Sequence, residues 1–154
     1  MACQLEQGWN FDDFIGTYTS PASTAIEAGT FVEISSATAI KVADGVAVDD
    51  GAYILTQKVT TDGPSYQEIV NRVIQHEVKA GDPVTIVPAK KGAILRTTVI
   101  ATGNDAGAIT DQIATQATLG MAAGKLRASQ GGDVLVAKLL TPLNADGEIV
   151  VEIL

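Results

Sequence analysis

The sequence predicts a mainly β fold: a small sandwich- or barrel-like body with one or two short helices and an extended N-terminal arm. Three observations predict it. Apolar residues make up 46% of the 154, mostly Ala, Val, Ile and Leu, while aromatics are only 5%. Fifteen glycines punctuate the chain. Turn signals recur about every eight to twelve residues between short aliphatic runs, the spacing of sandwiches and barrels.

The arm is expected over residues 1–25 and the body over 26–154. Residues 1–25 hold Trp9, Phe11, Phe14 and Tyr18, and Gly8, Gly16 and Pro21 interrupt any period of 2 or 3.6. Aromatics in an irregular acidic segment need a surface to bury them, either the chain's own core or pockets on a partner. The second reading makes these four residues the partner-binding set.

The body begins where the texture changes. Gly29 leads into TFVEIS, AIKVAD alternates over 39–44, and Asp49-Asp50-Gly51 supplies hairpin-turn chemistry before AYILTQKVT (52–60). Past the Asp62-Gly63-Pro64 turn, Ser65 and Glu68 form a capping box, and Ile69, Val70, Val73 and Ile74 follow helical spacing. A short helix is therefore expected at 66–76, with an extended strand as the competitor. VTIVP (84–88) and AILRTTVIA (93–101) read as strands, and 109–124 as a short helix or an irregular crossover. KLRAS (125–129), DVLVAKLL (133–140) and EIVVEIL (148–154) read as closing strands. Ala28-Gly29, Ala80-Gly81 and Gly132-Asp133 each precede alternating aliphatics, one turn device used three times.

Charge and chemistry narrow the function. The net charge is −8, which opposes phosphate-backbone binding and docking on anionic lipid; neither nucleic acid nor a membrane is an expected partner. No basic residue occurs within residues 1–40, so that stretch can dock on a basic surface or simply solubilise the chain. The start, MACQLEQGW, lacks the pattern of a secretory leader, and no apolar run approaches the roughly 20 residues of a span. Synthesis in a reducing cytoplasm is expected.

Cys3 and His76 are each the sole residue of their type. A Ser-His or Cys-His device would have to use His76, which sits in VIQHEV without a nucleophile elbow, and a Cys/His zinc set cannot be assembled within one chain. Asp44, Asp49 and Asp50 lack calcium-loop spacing, and Asp49-Asp50-Gly51 is explained by turn chemistry. Neither a Walker A loop nor Gly-x-Gly-x-x-Gly occurs. The expectation is a non-enzymatic binding or structural module with no catalytic residue, metal or cofactor.

Three stretches carry a family likeness: AYILTQKVTTDGP (52–64), VKAGDPVTIVPAKKGAILR (78–96) and LGMAAGKLRASQGGDVLVAKLL (119–140). In texture and turn placement this sequence resembles bacteriophage head decoration (cement) proteins. The resemblance implies a small β-rich, β-tulip-like body with an N-terminal arm. It implies a place on the outer capsid surface of the virion, with the phage major capsid protein as partner. It implies self-association, a homotrimer ahead of a homodimer. Residues 1–25 would be the arm and Trp9, Phe11, Phe14 and Tyr18 its anchors; the helical spacing at 65–77 departs from the pattern. Alternatives on the same residues are a tail or fibre adaptor, a carboxylate hydrolase using Asp44, Asp49 or Asp50, and a small carbohydrate-binding β module.

Overall fold

The computed structural model describes Glu27, 29–43 and 86–154 in full, and elsewhere the backbone of the strands named here. In chain order these are β1 (Cys3–Gln7), β2 (Ile15–Thr19), β3 (Ile26–Glu27), β4 (Phe31–Ile34), β5 (Ile40–Val42), β6 (Ala52–Lys58) and β7 (Val73–Ile74). Then come β8 (Glu77–Val78), β9 (Pro83–Pro88), β10 (Ile94–Thr97), β11 (Thr118–Ala122), β12 (Lys125–Ala128), β13 (Ala137–Thr141) and β14 (Ile149–Ile153). A seven-stranded sheet runs β12-β11-β13-β14-β10-β1-β7, a five-stranded sheet runs β2-β9-β6-β4-β5, and β3 pairs with β8. The mainly β expectation holds, as two open sheets and not a closed barrel. Among the described residues there is no helix.

Strand β14 shows why the larger sheet forms here. Ile149, Val150, Val151 and Ile153 are all buried, and the strand lies between β13 and β10. Ile149, Val151 and Ile153 alternate onto the core face, while Glu152 on the other face is partly exposed and pairs with Lys138; a β-branched run suits such a pleated strand. Register sets Val151 opposite Leu95 on one side and Leu139 on the other. All three are fully buried. They belong to one core that also takes Phe31 and Val87 from the five-stranded sheet, and Ala43 and Ala89 from just beyond the ends of β5 and β9.

Several expectations change. Two stretches assigned to a separate arm are strands of the body. β1 pairs antiparallel with β10, Leu5 opposite Leu95, and with β7, Gln4 opposite Val73. β2 pairs with β9, Tyr18 opposite Val84. The physical reason is an edge: β10 would otherwise offer β1's side as unpaired amides and carbonyls. Val73 and Ile74, expected in a helix over 66–76, are strand β7, because the ladder to β1 supplies backbone bonds that a capping box cannot outweigh. Residues 66–72 lie outside the described residues, as do Asp44, Asp49, Asp50 and His76.

Residues 109–117 form an irregular crossover. The Ile113 amide donates to the Thr110 carbonyl (3.2 Å) and the Ala117 amide to the Ala114 carbonyl (3.2 Å), three-residue closures in place of helical ones. Ile109 is buried and Ile113 packs against the core, which anchors the crossover without a helix. β10 ends earlier than its alternation suggests. The Thr97 hydroxyl accepts the Val99 amide at 2.9 Å, a side-chain turn that competes with the ladder. The chain then runs past β12, where the Ala101 amide donates to the Leu126 carbonyl (2.8 Å) and the Ala128 amide to the Gly107 carbonyl (2.9 Å). That covering leaves the β12 edge paired.

Candidate functional site

Of the four residues expected to bind a partner, the structure places one. Tyr18 lies in β2, opposite Val84. Trp9, Phe11 and Phe14 lie outside the described residues, in the stretch that follows β1 of one sheet and precedes β2 of the other.

The described surface offers a second candidate, which sequence reasoning missed. Residues 130–133 form a tight turn: the Asp133 amide donates to the Gln130 carbonyl at 3.0 Å. Gly132 takes φ +87 at its third position, the left-handed conformation a type II turn requires. The turn feeds 134–136, expected to begin a strand. β13 instead starts at Ala137. Val136 is buried and its amide donates to the Leu119 carbonyl at 2.9 Å, whereas Val134 and Leu135 are 38% and 47% exposed.

The loop is fastened from below by an ion pair. Arg127, on β12, donates from Nη2 to Asp133 Oδ1 at 2.5 Å and from Nε to Oδ2 at 3.0 Å. The Gln130 amide adds a third donor to Oδ2 at 2.9 Å. A bidentate guanidinium–carboxylate contact fixes orientation as well as distance. Both side chains are largely covered, with 24% and 10% exposure. The Arg127 hydrogen bonds, followed by that from Gln130, hold the Asp133 carboxyl below its ordinary pKa; desolvation opposes them and is outweighed.

Two glycines make room for the pair. A Cβ at Gly107 would stand 2.7 Å from Arg127 Cβ and Cδ. A Cβ at Gly120 would stand 2.5 Å from Asp133 Oδ2. Neither glycine appears among those with positive φ, so close approach explains them, not backbone geometry. The result is a rigid loop presenting two adjacent large aliphatics to solvent.

A shallow cleft is lined by Ile109, Thr110, Asp111, Leu143, Asn144 and Ala145. The Asn144 side-chain Oδ1 in this cleft accepts the amides of Asp146 (2.9 Å) and Glu148 (3.0 Å), so it serves its own loop. Among the described residues, no three of His, Cys, Asp and Glu come together as a metal set. Comparison with protein-family models, curated proteins and solved structures returned no match.

Proposed function

We propose that this chain is a capsid decoration protein, which docks on the outer face of a tailed-phage head and stabilises the assembled lattice. The supporting observation is the ordered loop with Val134 and Leu135 exposed side by side. Adjacent aliphatics held outward on a pinned loop suit burial against a partner, because no lost flexibility offsets their desolvation. The loop lies within the third stretch that carries the family likeness, 119–140, and the choice of partner rests on that likeness.

The work done on the shell is linkage. A ligand with affinity only for the assembled lattice stabilises it by mass action. Clamps that bridge several subunits add through effective concentration. Trp9, Phe11 and Phe14 supply further anchors in this reading, since buried aromatics dominate such contacts.

Co-sedimentation with capsids stripped of decoration tests the proposal. The wild-type chain saturates the particles, and Leu135→Asp loses at least about tenfold in occupancy at limiting protein. A wild-type chain left in the supernatant overturns the reading. Label found at the tail and not the head moves the protein to the tail-adaptor alternative.

A further inference from the structure

The tip of the β11–β12 hairpin does more than reverse the chain. Ala122 pairs with Lys125, so the loop has two residues, Ala123 at φ 50 and Gly124 at φ +75. That pattern is a type I′ hairpin turn. Gly124 is buried although it sits at a tip, because the tip enters the other sheet.

There it replaces a missing ladder bond. β4 and β5 pair through Val32 opposite Val42, and the Ala43 amide still donates to the Phe31 carbonyl at 3.0 Å. The reciprocal bond, from the Phe31 amide to the Ala43 carbonyl, is not made directly. The Phe31 amide donates to the Gly124 carbonyl at 2.9 Å, and the Gly124 amide donates to the Ala43 carbonyl at 2.7 Å. One peptide segment of the seven-stranded sheet thus bridges two strands of the five-stranded sheet, and both buried groups are satisfied.

The fit allows no side chain. A Cβ at Gly124 would meet the Phe31 carbonyl oxygen at 2.8 Å and Val42 Cγ1 at 2.9 Å, and Thr30 Cγ2 closer still. Thr30, Phe31 and Ala43 around it are 4%, 1% and 0% exposed.

We infer that Gly124 is a coupling plug that makes the two sheets open as one unit, so that a partner gripping either sheet stabilises both. A shared apolar core is non-directional and tolerates relative sliding. Two directional backbone bonds at a buried, side-chain-free contact do not, and breaking them strands two buried polar groups.

Residue-resolved amide exchange tests this on the full-length chain. Gly147 supplies the control: its φ of +78 matches that of Gly124, and a Cβ there has nothing within 4 Å. Gly147→Ala therefore carries the backbone strain without the clash. In Gly124→Ala, the Phe31 and Ala43 amides are expected to exchange at least about tenfold faster relative to the Ile153 amide of β14. In Gly147→Ala, all three keep their wild-type ratios. Equal acceleration of all three in Gly124→Ala, or no change at Phe31, overturns the inference. If Gly124→Ala does not fold, the wild-type chain decides. Gly124 and Phe31 amides protected to within about tenfold of Ile153 support the plug; exchange more than tenfold faster than Ile153 overturns it.

Discussion

Asp133 gathers three donors on one carboxylate, two from Arg127 and one from the Gln130 amide. Protonation would forfeit these contacts in the folded state, so the folded pKa is depressed relative to the unfolded chain. The stabilisation is therefore fully present above the unfolded value of about 3.9 and is lost as pH falls through the folded pKa. Asp133→Asn should melt at a lower temperature than wild type at neutral pH, and the gap should close in acid. Melting both proteins across pH checks it; a gap independent of pH would show that the charge is irrelevant. Arg127→Lys should behave similarly to Asp133→Asn at neutral pH, because an ammonium cannot make the two-pronged contact. At Ala123, an exposed alanine sits at φ 50, a left-handed conformation that disfavours a Cβ. Ala123→Asn creates the Asn-Gly pair that type I′ turns favour and is expected to stabilise by about 0.5–1 kcal/mol in denaturant unfolding.

Among elements, the central strands and the 130–135 loop respond to substitution in opposite ways. Leu95 and Leu139 are both 0% exposed and flank Val151 in register. Leu139→Ala should cost about 2–5 kcal/mol of unfolding free energy, the range for a buried leucine whose surroundings relax only partly. Leu135→Asp, on the exposed loop, should change stability by no more than about 0.5 kcal/mol, while the proposed capsid attachment falls at least about tenfold. A matched loss of stability in the Leu135 variant would mean that the loop serves the fold and not a partner. β4, β5, β6, β9, β12 and β14 were legible because alternating or continuous aliphatics lie between Gly, Asp and Pro turns. The start of β13 was not, because Val134 and Val136 look alike in sequence, yet only Val136 donates its amide to Leu119, at 2.9 Å.

Across the whole molecule, the N-terminal residues matter most. β1 lies inside the seven-stranded sheet, between β10 and β7. Removing residues 1–7 would strip β10 of one neighbour and leave β7 with none in that sheet. The shortened chain is expected to lose its cooperative melt or to aggregate through the bared edge, as scanning calorimetry and light scattering would show. Truncation consequently cannot test partner binding, and Trp9→Ala in the intact chain is the suitable variant. It should weaken capsid attachment by about 2 kcal/mol if Trp9 is an anchor, and unchanged occupancy at limiting protein would remove it from the set.

The sequence by itself determined the fold class and most strand positions, because side-chain period and turn chemistry are local properties read within a few residues. It also carried a hint of β1, in the alternation of Cys3 and Leu5 with Gln4 and Glu6, that the nearby glycines and aromatics obscured. Only the tertiary structure decided where β1 and β2 pair, that Val73 and Ile74 are strand, and that Gly124 belongs to both sheets. Those outcomes depend on which unpaired backbone edge is within reach, a contact between residues far apart in sequence. No short window of sequence encodes it.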